Sequence, residues 1–73
     1  SNWLNMKQTA SFLGISYATL LSMRKEDKAT GIVRIPYVGE GKSTRYYVPL
    51  LQAYKDRNMT LVNQLAKEME TKK

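Results

Sequence analysis

The sequence contains no cysteine and no histidine. Without cysteine there is neither a disulfide staple nor a thiolate metal site. Without histidine the commonest general base is missing, and no thiol stands in as a nucleophile. Acidic residues are also scarce, 6 against 12 lysines and arginines. Glu26 and Asp27 adjoin in a polar stretch, and Glu68 and Glu70 lie near the end of the chain. Neither pair sits in a pattern that builds a carboxylate dyad or a metal cluster, and a solvated surface is the simpler reading. The expectation is therefore a protein that is not an enzyme, with no catalytic residue, metal, cofactor or small-molecule substrate. Long hydrophobic runs are absent too: nothing approaches the roughly 18 apolar residues of a membrane span, and no signal-peptide core is visible. That speaks against a membrane partner and, with the lack of cysteine, for a cytoplasmic setting.

What is present is one short chain of 73 residues with a net charge of +6. The length suits one core, and a core of this size supplies about 3–5 kcal/mol of net stability. The positive balance suits an anionic polymer, although charge by itself is a weak argument. The sharper signal lies in Leu4 to Leu20, which reads as two short helices joined at Gly14. Asn5 can cap the first helix, and Gln8 three residues on completes a capping box. Met6, Ala10 and Leu13 then fall on one face. Gly14 stands where a helix ends in the left-handed region, and Ser16 can cap the second helix. Leu20 and Met23 face back onto Leu13, leaving Tyr17, Ala18, Leu21, Ser22 and Lys25 outward. A short glycine-containing turn between two helices is the layout of a DNA-reading helix-turn-helix.

Beyond about Lys25 the residues Lys25 to Gly31 read as a polar connector. Ile32 to Val38 is rich in β-branched residues and reads as a strand, placed at an edge or bulged by Pro36. Gly39 to Ser43 is a loop, and Thr44 to Val48 a second strand, giving a β-hairpin with a basic tip. Pro49 suits the first turn of a third helix, Leu50 to about Lys55, with Leu51 and Tyr54 on a common face. Asp56-Arg57-Asn58 breaks the pattern. Thr60 can cap a last helix, with Leu61, Val62, Leu65, Ala66 and Met69 along one face, and Thr71 to Lys73 should fray. The expected core is Leu13, Leu20, Met23, Ile35, Tyr46, Leu51 and Tyr54.

Gly41-Lys42-Ser43-Thr44 imitates the end of a phosphate-binding P-loop. The motif needs a glycine five residues before Gly41, where Pro36 stands, and a helix afterwards, where a strand is expected. Nucleotide binding is rejected. Tyr37 and Tyr47 lie among basic residues and could stack unpaired bases, but amphipathic packing at the rim is the commoner use of tyrosine.

Leu4, Met6, Ala10, Phe12 to Ser16, Thr19 and Leu20, followed by Arg45-Tyr46 and Leu51-Gln52-Ala53-Tyr54, resemble the excisionase-type, MerR-like winged helix-turn-helix domains. The resemblance spans Leu4 to about Tyr54. Gln8-Thr9 stand where the family has Glu-Ala, and Leu50 where it has an acidic residue. It implies a mainly α fold with a small β-hairpin and a winged helix-turn-helix domain over 3–56; the amphipathic helix over 58–73, read from its apolar stripe, lies outside the resemblance. It also implies DNA as partner, with duplex favoured and single strands as a second target. The second helix, through Ser16, Tyr17, Ala18, Ser22 and Lys25, would enter the major groove. Lys42 and Arg45 of the wing would lie on the backbone, joined by Lys7, Lys28, Arg34 and Tyr47. The setting expected is a mobile-element accessory factor or a repressor. The alternative is an accessory subunit of a larger replication or recombination enzyme. In either setting residues 60–70, through Leu61, Val62, Leu65 and Met69, are expected to dock a protein partner or a second copy; the other use of this face is to cover the third helix near Leu51.

Overall fold

The computed structural model describes the backbone of residues 2–71 and the side chains of residues 2–69. The fold is mainly α with a small antiparallel β component. In chain order it runs β1 (Trp3–Leu4), α1 (Met6–Leu13), α2 (Tyr17–Thr30), a 3-10 turn (Gly41–Ser43), β2 (Tyr46–Tyr47), α3 (Val48–Lys55) and α4 (Met59–Thr71). No helix among the described residues is long and apolar enough to cross a membrane.

The local signals at the first two helices hold in detail. Asn5 Oδ1 accepts from the Gln8 N–H at 2.8 Å, and the Asn5 N–H donates to Gln8 Oε1 at 3.0 Å. α1 stops at Gly14, with φ 74°. The N–H groups of Gly14 and Ile15 close the helix onto Ser11 and Ala10 oxygens at 3.1 and 3.0 Å, the paired bonds of a Schellman turn. A side chain at this φ would be strained. Ser16 Oγ then accepts from the Thr19 N–H at 3.1 Å and starts α2. Ala10 and Leu20 are buried where the two helices face each other.

Four expectations need correction. The stretch 25–30 is not a connector: α2 continues through it and ends at Gly31, whose N–H donates to the Asp27 oxygen at 2.8 Å. Residues 32–37 form no strand; Ile32 and Val33 are exposed, and only Val38 pairs, in a single bridge to Arg45. That bridge, with N–H bonds of 3.0 and 2.8 Å in both directions, is the whole of the expected hairpin. The true partner of β2 is β1, with Trp3 opposite Tyr47 and Leu4 opposite Tyr46. α4 starts one residue before Thr60, and its cap is Asn58, whose Oδ1 accepts from the Leu61 N–H at 3.2 Å. The fraying expected at Lys72 and Lys73 lies outside the described residues.

The main core joins Ile35, Tyr46, Leu50, Leu51, Ala53 and Val62. Leu20, Ile35, Tyr46 and Leu51 are buried as expected, whereas Leu13, Met23 and Tyr54 are partly buried against the core. α4 lies on α3, with Val62 fully buried and Leu61, Leu65, Ala66 and Met69 packed around it. The apolar stripe of the last helix is thus used inside the chain. A helix of this length needs such a surface, being marginal alone in water, and Leu50 and Leu51 supply it.

Candidate nucleic-acid interface

The site is built on the outer face of α2. Positions 17, 21, 25 and 28 follow one another at helical spacing, so Tyr17, Leu21, Lys25 and Lys28 form a stripe along the helix, with Arg24 beside it. Lys7, in the first turn of α1, flanks the stripe on one side, and Lys42, in the 3-10 turn, is brought to it by the loop. Together with Asn5, Met6, Gly41 and Thr44 these residues line a groove of about 570 Å³. Five cationic side chains face it (Lys7, Arg24, Lys25, Lys28 and Lys42), and no acidic side chain among the described residues lines it.

Arg24 fixes the loop to the helices. Its Nη1 donates to Met6 Sδ at 2.8 Å and to Thr44 Oγ1 at 3.3 Å, and its guanidinium lies 4.2 Å from the centre of the Tyr37 ring. One side chain therefore ties α2 to α1 and to the loop. Gly39 does the rest. Its φ is +80°, and a Cβ there would collide with the Ser43 carbonyl, so the loop folds this tightly only with glycine. Arg45 holds the same turn from within, its Nη1 donating to the Lys42 and Thr44 oxygens at 3.0 and 2.7 Å.

The acidic residues of α2 are handled on another face. Asp27 is nearly buried and takes the Arg34 Nε at 2.7 Å and the Arg34 N–H at 3.2 Å. Arg34 Nη2 bonds Glu26 Oε2 and the Met23 oxygen, both at 3.0 Å. The hydrogen bond to Asp27 raises the Arg34 pKa, against a smaller opposing effect of desolvation. The groove face of α2 is left cationic because Arg34 answers its carboxylates from elsewhere.

The expected site residues divide accordingly. Lys7, Tyr17, Lys25, Lys28 and Lys42 are brought together in the groove. Ala18 and Ser22 are exposed on the adjoining edge of α2 but do not line it. Ser16 is occupied with capping, its Oγ also 2.8 Å from Thr19 Oγ1. Arg34 is an ion-pair residue, not a free cation, and Arg45 spends Nη1 on the loop backbone. Tyr47 stands apart, its ring centre 4.9 Å from that of Trp3, beside a second groove of about 540 Å³ that Leu65 and Met69 also line. Of the residues expected to meet a protein partner, Val62 is buried, and Leu61, Leu65 and Met69 pack against the core.

Arg24 lines the groove and was not among the expected site residues, and Leu21, expected only on the outward face of the helix, lines it too. Arg24 lay within the expected helix, but its partners Met6, Thr44 and Tyr37 are distant in sequence; the run Lys25-Glu26-Asp27-Lys28 read as a loop and hid the turn of α2 that carries Lys28. No family model, curated protein or solved structure matches the chain, so a functional reading stands on these residues and their geometry.

Proposed function

We propose that the protein binds duplex DNA through this groove, as a winged helix-turn-helix module. α2 enters the major groove and the loop at Lys42 rests on the adjacent backbone. The observation that carries the reading is the convergence of Lys7, Lys25, Lys28 and Lys42 from three separate elements on one concavity that no acidic side chain among the described residues lines. A helix fits the width of the B-form major groove, and cations at its borders neutralise phosphates. The roles that suit such a module are a mobile-element accessory factor or a repressor. Docking on a larger enzyme through α4 has less support, since the face it would need is packed on α3.

Fluorescence anisotropy with labelled duplex and single-stranded DNA at two salt concentrations tests the reading. Duplex binding that weakens steeply as salt rises, and that falls when Lys25 or Lys28 is replaced by alanine, is the expected result. Absence of duplex binding at low salt, or binding indifferent to both substitutions, overturns it.

A further inference from the structure

The two ends of the stripe on α2 differ in chemistry. Its N-terminal half offers Tyr17 and Leu21, both exposed, which with Met6 beside them make one apolar patch in the groove. Its C-terminal half offers Lys25 and Lys28. In helix-turn-helix docking the N-terminal part of the reading helix meets base edges, so the apolar half is the half that faces the bases.

The groove's guanidinium and its amide, two of the groups that read purines, are spent. Recognition of guanine takes a free guanidinium or a lysine ammonium; Arg24 is held by Met6 Sδ, Thr44 Oγ1 and the Tyr37 ring, and the lysines of α2 lie at the C-terminal end of the stripe, away from Tyr17 and Leu21. Bidentate recognition of adenine takes both the oxygen and the nitrogen of an amide, and Asn5 has its oxygen in the capping box. In the major groove the one apolar feature of a base pair is the C5-methyl group of thymine. We infer that this protein selects its duplex sites chiefly by apolar contact of Tyr17 and Leu21 with thymine methyl groups, while the lysines hold the backbone. The inference rests on the DNA-binding reading and adds its target chemistry. It extends to 5-methylcytosine, which carries a methyl at the same place in the groove.

Deoxyuridine in place of thymidine removes that methyl and keeps every hydrogen-bonding group and every phosphate. The test takes the tightest duplex selected from a randomised pool and remakes it with deoxyuridine at each thymidine. Affinity should fall about four-fold for each methyl contacted, the worth of one buried methyl(ene) group, with the salt dependence unchanged. Leu21→Ala should bring affinity for the thymidine duplex down toward that of its deoxyuridine counterpart. Because Leu21 lies on the surface, circular dichroism should show the variant folded. Equal affinity for the two duplexes overturns this inference and leaves duplex binding standing. Failure to bind any duplex overturns both.

Discussion

Single residues carry two kinds of information here, and only one kind is local. Asn5, Gln8, Gly14 and Ser16 act on backbone groups within a few positions, so their roles were legible from spacing alone. Arg24 acts on Met6, Thr44 and Tyr37, 13 to 20 positions away along the chain, and no local pattern announces that. Thr9 is a third case. It stands where the resembling domains have alanine, is fully buried, and its Oγ1 has no hydrogen-bond partner among the described residues. An unpaired buried hydroxyl costs about 1–3 kcal/mol. Thr9→Val keeps the shape and removes the hydroxyl, so chemical denaturation should show a gain of about 1 kcal/mol or more; a loss would mean that the hydroxyl is satisfied. Tyr46 adds a pH dependence. Burial pushes its phenol up to about 12, with Arg24 opposing. The unfolded chain sheds this proton near its ordinary value of about 10 and the folded chain does not. The unfolded state then binds fewer protons, so stability falls as pH rises through this window. The loss attributable to Tyr46 is roughly 2–3 kcal/mol by about pH 12. Urea midpoints at about pH 9 and about pH 11 should differ in this sense, and Tyr46→Phe should reduce the difference.

At the scale of elements, the misread segments share a cause. The run 32–38 has strand-forming residues, yet Ile32 and Val33 face solvent and Arg34 ties the segment to α2 through Asp27. β2 pairs with the first residues of the chain, a contact between positions more than forty apart, and propensity says nothing about partners at that distance. The last helix was legible as a stripe with two possible uses, a partner or the third helix near Leu51, and that α3 receives it shows only in three dimensions. The α3–α4 turn repeats the device of the first turn. The Asn58 and Arg57 N–H groups donate to the Ala53 and Tyr54 oxygens at 2.9 and 3.0 Å, but here Arg57 takes the left-handed position, with φ 60°. Arg57→Gly should relieve that strain and raise stability by about 1 kcal/mol, read from the thermal midpoint. Removing residues 58–73 should do the opposite and unfold the domain, since it strips the cover from Leu50 and Leu51. A truncated chain that melts cooperatively near the full-length midpoint would show that α4 is dispensable.

For the whole molecule, the positive balance was legible and its distribution was not. Two classes of cation coexist. Lys7, Lys25, Lys28 and Lys42 face a groove that no acidic side chain among the described residues lines, whereas Arg34 sits among Glu26, Asp27 and the Met23 carbonyl. Sequence reading placed Arg34 with the groove lysines because charge counts alike in a composition; only the ion pair with Asp27 separates them. Binding to duplex DNA should separate them as well. Neutralising four phosphates releases counterions and gives a slope of log affinity on log salt near −3.6, about −0.9 per phosphate. The double substitution of Lys25 and Lys42 by alanine should make that slope shallower by about two units and weaken binding across sequences alike. Arg34→Gln should instead leave the slope where it was. Its effect should appear in stability, since it leaves the nearly buried Asp27 carboxylate without its closest partner. Measured on one set of duplexes, a slope change in the arginine variant as large as in the lysine pair would mean that Arg34 reaches phosphate after all. The division of charge described for this molecule would then be wrong.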